Sequence, residues 1–600
     1  MDRRAFIQSF ACAAAAGASL RIPGLDAVAL QQQLETTEGR AVLTGPDQHA
    51  AGNLKLTLNW MGQKCTPILT NTGEESLRVK EVVLFHLQHP QPANTSLYGE
   101  SFQMLSQTAG TIAHPVDLGY NEVDHYKIPG PSDATVITGL LMLSPAQGDS
   151  LVLAYTSCHR FIGRFYIKDG LIQAVVDTED LTIVPGESWH LEELLSLSGP
   201  VQNALLEQVA DRININHPPL LWKSPPRGWC SYYCYGNNFT AQQVLVNAKY
   251  ISQNIPELTY VQVDDGYQPW MGDWLDTVPA FGEDIGMLLK QIRDLGQEPA
   301  LWIGPFIADP QSQVFLQHPE WFIQNDHKQP LQALNVTFGG WGRKDWYALD
   351  GTHPEVQQHL ENIFRYMRQE WDCRYFKLDA NFWGAMHGGK LHDPNATRIE
   401  AYRHGMKAIR RGAGEETFLL GCNHPIWPSF GLIHGSRSSD DIARNWNTIS
   451  RDALQTMHRN WQNGRLWWND PDAVCLTGDL SDNEFLFHAT AAYASGGMIL
   501  SGDDLTKMPP GKLAILRKLI PATGQAAAFT NAEPNLGIIQ LPGEMMVCLF
   551  NPSDEDRQIE VHLSRRYHIT DYWNDEDLGN HDGSYQVKTA PRSARLLRCV

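Results

Sequence analysis

The stretch YFKLDANFWG, residues 375–384, decides the fold. Its first four residues are an apolar and aromatic run interrupted by Lys377, and the run ends at Asp379. Strands buried on both faces read as nearly continuous apolar runs, so a lysine and a carboxylate at the end of one need a reason. Residues i and i+2 of a strand share a face, which points Lys377 and Asp379 the same way. An adjacent ammonium favours the ionised carboxylate and lowers its pKa. Asp379 is therefore a candidate nucleophile, and the plainer alternative is a structural ion pair filling a core.

Outward from this stretch, short apolar runs alternate with helical segments. RGWCSYY (227–233) precedes TAQQVLVNAKYISQN (240–254), TYVQVDDGY (259–267) precedes DIGMLLKQIRDLG (284–296), and PALWIGPF (299–306) opens a long insertion. HPEVQQHLENIFRYMRQEW (353–371) then leads into residues 375–379, and ATRIEAYRHGMKAIRRG (396–412) into TFLLGCNHP (417–425). RLWWNDPD (465–472) and GMILSGDD (497–504) are each followed by a helical segment. Strand and helix alternating about eight times over roughly 300 residues predicts a (β/α)8 barrel.

The flanks read differently. NLKLTLNWM, LRVKEVVLFHL, ATVITGLLML, SLVLAYTS, GRFYIK and LIQAVVD are short β-rich runs broken by turn residues, which suggests an antiparallel sandwich. HPPLLWKSPPRGW (217–229) is a proline-rich break. After the barrel, LGIIQL, MMVCLFN, RQIEVHLS and ARLLRCV return to β character. The predicted organisation is a signal segment over 1–28, an N-terminal β-sandwich over 29–218, the TIM barrel over 219–525 and a C-terminal antiparallel β domain over 526–600. A chain of 600 residues accommodates about three domains.

The charge balance excludes some partners. A net charge of -20 with no long basic run argues against nucleic acid and anionic membrane surfaces. No apolar stretch reaches the roughly 20 residues that span a bilayer. MDRRAFIQSFACAAAAGASL pairs Arg3 and Arg4 with Phe6 and an alanine-rich segment, which resembles a twin-arginine export signal and predicts a periplasmic location. The ten cysteines are scattered, with only Cys230 and Cys234 close together, which argues against a disulfide framework and against a zinc site.

Polar residues gather where the predicted barrel strands end. Asp264 and Asp265 follow YVQV, Asp379 follows YFKL, Cys422 and Asn423 follow FLLG, and Asp470 and Asp472 close RLWWNDPD. The C-terminal strand ends are where such barrels place their active sites. Taken singly, each aspartate is also a turn former or helix N-cap; the clustering carries the signal. A carboxylate nucleophile acting on a sugar needs a second carboxyl group as acid and then base. GSRSSDDIARNW (435–446) offers Asp440 and Asp441, with Arg437 nearby, and the residues alone do not choose between the two.

GWCSYY, VQVDDGYQ, LWIGPF, YFKLDANFWG, LLGCNHPIWPSFGLIHGSRSSDD and WWNDPD occur in this order and together resemble the α-galactosidase and melibiase group, glycoside hydrolase clan D, most similar to family 36. The resemblance covers roughly residues 225–510, and the β-rich flanks match the family 36 layout of an N-terminal supersandwich and a C-terminal β domain. It implies Asp379 as nucleophile, with Lys377 beside it on the sugar hydroxyls. The Arg-x-x-x-Asp spacing of Arg437 and Asp441 implies Asp441 as acid/base. Asp264 and Asp265 match the pair that holds the sugar's O4 and O6, and Trp229 matches a tryptophan walling the same pocket. Cys422 and Asn423 match the strand-five segment, Asp472 matches a pocket-supporting aspartate, and Trp302 in LWIGPF joins the substrate-binding set.

The third residue of the first motif departs from the pattern, with Cys230 where family 27 relatives have asparagine. The tryptophan-rich segment 308–350 is a candidate for shaping the aglycone side. The implied activity is exo-acting hydrolysis of terminal α-galactosides by double displacement with retention, with no cofactor or metal and with homo-oligomers common in the family. The alternatives are an α-N-acetylgalactosaminidase, a raffinose-synthase-like transglycosidase, a metal-dependent hydrolase using Asp264, Asp265, His424 and Asp441, and a catalytically silent sugar-binding protein.

Overall fold

A computed structural model describes residues 27–44, 52–89, 92–342, 345–529 and 534–600. The twin-arginine segment lies almost wholly outside the described residues. At the centre are eight parallel strands: Arg227–Cys230 (β1), Tyr260–Val263 (β2), Glu298–Ile303 (β3), Tyr375–Leu378 (β4), Phe418–Gly421 (β5), Gly435–Arg437 (β6), Trp468–Asp470 (β7) and Ile499–Ser501 (β8). From β1 to β7 each strand pairs in parallel with the next, and β8 pairs with β1. The seam between β7 and β8 is nearly closed by the Met498 N–H donating to the Asn469 carbonyl at 2.8 Å and the Val474 N–H to that of Leu500 at 2.7 Å.

Among the described residues seven helices of ten residues or more surround the barrel: Ala241–Asn254 (α1), Ile285–Asp294 (α2), Pro354–Glu370 (α3), Arg398–Ala413 (α4), Trp446–His458 (α5), Asp482–Ser495 (α6) and Pro510–Leu519 (α7). The alternation departs from a perfect eight between β5 and β6. There Pro425 and Pro428 sit in a segment that makes only a 3₁₀ turn, Trp427–Ser429, because proline removes a backbone donor and clashes with the preceding turn.

Strand parity sorts the side chains. Tyr375, Phe418, Leu420, Ala300, Cys230, Trp468, Met498 and Leu500 form an interior cluster within the barrel. Phe376, the neighbour of Tyr375, packs edge-on to Phe364 of α3 at 5.0 Å instead. The same two-residue step carries Lys377 and then Asp379 up the axis from Tyr375, and Trp302 pairs in register with Lys377. The barrel is thus filled below by apolar and aromatic side chains and becomes polar at its C-terminal end.

The N-terminal part holds two antiparallel sheets. One has five strands in the order Arg40–Leu43, Leu77–Gln88, Leu171–Ile183, Ile162–Lys168 and Thr135–Thr138; the other has nine and ends in the hairpin Ser106–Gly110 and Pro115–Gly119. Among the described residues two helices accompany them, Ala27–Thr36 and Gln202–Asn216, beyond the strands expected from sequence. Six antiparallel strands between Ala528 and Cys599 make the C-terminal sheet. A central barrel flanked by β domains is the predicted architecture.

Candidate active site

The pocket at the C-terminal end of the barrel is a cavity of about 200 Å³ lined by Asp264, Asp265, Trp302, Lys377, Asp379, Cys422, Asn423, Asp440 and Asp441. Of the strand-end cluster, Asp264, Asp265, Asp379, Cys422 and Asn423 meet in this one place, while Asp470 and Asp472 do not line it. Asp379 follows β4, and its backbone N–H donates to the Ile303 carbonyl at 2.8 Å, extending the β3–β4 pairing by one residue. One carboxylate oxygen accepts the Trp302 indole N–H at 3.0 Å, and the other accepts the Ala380 N–H at 2.6 Å. Ala380 has φ 52, Asn423 φ 45 and Asp472 φ 69. The chain turns through the left-handed region just past three of the strands, a conformation that costs a non-glycine residue about 1 kcal/mol or more and clusters at functional sites.

Lys377 does not bond Asp379. Its ammonium donates to Asp264 at 3.0 Å, and both partners are buried. The same Asp264 oxygen accepts the Gln262 amide at 2.7 Å and lies 3.4 Å from the Cys230 thiol. The expectation that the lysine holds Asp379 below the usual carboxylate range is corrected: burial raises the Asp379 pKa, and the Lys377 charge, the Trp302 N–H and the Ala380 N–H oppose that rise. A full cage of protein costs a carboxylate more than one shared ammonium returns. Asp265, bonded by the Gln268 amide at 2.6 Å, is pushed up to about 6, by burial first and then by the charges of Asp264 and Asp379.

Asp440 and Asp441 diverge. Asp440 is buried, and its carboxylate meets Arg451 at 2.7 Å on one oxygen and the Asp441 N–H at 2.8 Å on the other. The Asp441 side chain is 64% exposed and is touched at 3.1 Å by Arg437. It also lies 3.5 Å from the Tyr233 hydroxyl. Arg437 is fully buried beneath the pocket and does not line it. One of its nitrogens serves Asp441, the Asp440 carbonyl at 2.9 Å and Asp472 at 2.8 Å. Its place in the substrate-binding set is thus a correction: it braces the residues around it. Asp472, also placed in the substrate-binding set, does not line the pocket but stays behind its wall, accepting from Tyr233, Arg437 and the Ile442 N–H.

Trp229 is the clearest departure. Cys230 faces the barrel axis, so its neighbour Trp229 faces outward; it is fully buried, donates its indole N–H to the Asp503 carbonyl at 2.8 Å and does not line the pocket. His424, which the metal reading requires, is buried away from Asp264 and Asp265 with its ring nitrogens against Ser429 at 3.0 Å and Ser436 at 2.9 Å.

The aromatic walls are instead Tyr232, Tyr233, Phe338 and Trp341, together with Tyr120, His125 and Tyr126 of the N-terminal part. Tyr232 and Tyr233 adjoin the GWC motif, and Phe338 and Trp341 lie in the tryptophan-rich insertion; both stretches were visible in the sequence. Nothing in the sequence marked Tyr120 or His125. His125 stacks between Tyr120 at 4.2 Å and Phe338 at 4.0 Å, so the N-terminal part closes one side of the pocket mouth.

Residues 261–407 match the Melibiase family model. The chain is 28% identical over 152 residues to the myogenesis-regulating glycosidase of Mus musculus, 25% of this chain and 20% of that one. It is 24% identical over 127 residues to an α-galactosidase of Escherichia coli, 20% of this chain and 16% of that one. The matched stretches thus span a fifth or less of those relatives. Among solved structures, the family 36 α-galactosidase AgaA A355E of Geobacillus stearothermophilus in complex with 1-deoxygalactonojirimycin is similar, with a TM-score of 0.64 at 14% identity over 91% of this chain and 82% of that one. The barrel thus carries a segment that matches the Melibiase family, and the fold of barrel and flanking β domains is similar to that of the family 36 α-galactosidase structures.

Proposed function

We propose that this protein is a retaining, exo-acting α-galactosidase with Asp379 as nucleophile and Asp441 as acid/base. The observation that carries the reading is that Asp379, Asp441 and the pair Asp264–Asp265 line one pocket, buried at its base and open at Asp441. An Asp379 oxygen attacks the anomeric carbon, the bond to the leaving oxygen breaks, and Asp441 gives that oxygen its proton. Water then attacks the same carbon, Asp441 takes the water's proton, and Asp379 departs with its electron pair restored. Two inversions leave the configuration retained, which asks for carboxyl groups about 5 to 5.5 Å apart. Trp302 and Ala380 hold the attacking carboxylate by one hydrogen bond on each oxygen, and such orientation is a large part of any rate gain. Asp264 and Asp265 would accept hydrogen bonds from sugar hydroxyls, and a site built on such bonds rejects analogues that lack them.

The test is turnover of p-nitrophenyl α-glycosides of galactose, N-acetylgalactosamine and glucose by wild type and Asp379→Ala, with a chelator present. Galactoside hydrolysis is expected, falling by about four orders of magnitude in the variant, with α-galactose the first product seen by NMR. First-formed β-galactose overturns the retaining assignment. Binding of galactose without turnover of any glycoside overturns the enzymatic one.

A further inference from the structure

The Asp441 side chain is loosely held, met among the described residues by Arg437 and Tyr233, whereas its neighbour Asp440 is fastened at every polar atom. The Asp440 carbonyl accepts from Arg437 at 2.9 Å, and its carboxylate accepts from Arg451 at 2.7 Å and from the Asp441 N–H at 2.8 Å. Its own N–H donates to Gln455 Oε1 at 2.8 Å. Gln455 lies on α5, is fully buried, and uses its Nε2 to donate to the Leu105 carbonyl at 3.1 Å and the Leu118 carbonyl at 2.9 Å. Leu105 precedes one strand of the N-terminal hairpin, and Leu118 lies on the other. One amide group thus ties the acid/base loop of the barrel to both arms of a hairpin from another domain. Its orientation is chemically unambiguous, since its oxygen faces an N–H and its nitrogen faces two carbonyls.

Gly119 shows how tightly this junction is built. It has φ +89, and a Cβ there would fall 1.9 Å from the Leu105 oxygen and 2.8 Å from Gln455 Nε2. Gln107 of the same hairpin donates its side-chain amide to the Gln455 backbone carbonyl at 2.9 Å.

We infer that Gln455 is a positioning residue for general acid catalysis: it places Asp441 against the leaving group by fixing Asp440 to the N-terminal hairpin. The inference rests on the proposed function and deepens it. Its specific consequence concerns the leaving group, because a misplaced acid hurts departure of an alkoxide and scarcely matters to a phenolate stable without a proton.

The test compares kcat/KM of wild type and Gln455→Met for a galactosyl disaccharide and for 2,4-dinitrophenyl α-galactoside. The variant should lose about tenfold or more on the disaccharide, the scale expected of a catalytic group displaced by under an ångström, and less than twofold on the dinitrophenyl substrate. Gly119→Ala, which crowds the same amide, should show the same split and serves if Gln455→Met does not fold. An equal loss on both substrates means a merely structural role and overturns the inference, as does no loss on either. Failure of the wild type to hydrolyse either galactoside overturns the functional reading itself, a result separable from both.

Discussion

The Asp265 carboxylate sits beside two other acids, Asp264 and Asp379, in a pocket that excludes much of the water that would stabilise its charge. Burial and those charges together push its pKa up to about 6. Because the shift is upward, the ionised form is lost as pH falls through about 6, and with it the acceptor capacity expected to hold a sugar hydroxyl. The logarithm of kcat/KM for an α-galactoside should thus bend downward below pH 6, and Asp265→Asn should lower the plateau and remove that bend. A bend unchanged in the variant assigns it to another group. At this scale strand parity and strand ends pointed Lys377, Asp379, Asp264 and Asp265 toward the barrel mouth, where all four line one pocket, whereas Asp441 was preferred to Asp440 only through the family resemblance. The lysine's bond was misassigned because a sequence shows which residues share a strand face, not which carboxylate across the barrel is nearer. Trp229 fell to the same parity rule: with Cys230 on the axis, its neighbour had to face out.

Elements were legible in proportion to their length and periodicity. The long helices announce their ends: Ser481 and Glu484 form a capping box at the start of α6, the Ser481 hydroxyl accepting the Glu484 N–H at 3.3 Å and the Glu484 carboxylate accepting the Ser481 N–H at 2.9 Å. Ser481→Ala should cost about 1 kcal/mol of stability, read by chemical denaturation, with kcat on the galactoside unchanged. A kcat that falls with it would mean that α6 bears on the site. The strand β6 shows the opposite limit. Gly435–Arg437 has three buried residues and no apolar run, so nothing in GSR marks a strand; it pairs with β5 and β7 because both neighbours present unsatisfied edges. The missing helix between β5 and β6 was signalled by two prolines.

The whole molecule decides how the N-terminal part meets the barrel. Arg459 and Glu100 are both buried at that junction, with Arg459 donating at 2.7 Å and 3.1 Å to the carboxylate, which also accepts from Tyr98 at 2.6 Å. Removing one partner strands the other, which costs about 3 to 5 kcal/mol, whereas removing both is far milder. Arg459→Met should therefore be destabilised by about that amount in denaturant unfolding followed by tryptophan fluorescence, and Arg459→Met with Glu100→Leu should recover much of the loss. A double variant no better than the single one would show that the pair is not the source.

Sequence alone determined the barrel, its β flanks and the carboxylates at the strand ends, because these follow from local periodicity and from the rule that consecutive βα units close in order. Only the tertiary structure decided that Tyr120, His125 and Gln103 reach the site. The Gln103 amide bonds Asn423 across 320 residues of chain, and Glu100 and Arg459 meet across 359. Such contacts depend on the angle at which two separately folded layers dock, a quantity that no local pattern of residues encodes.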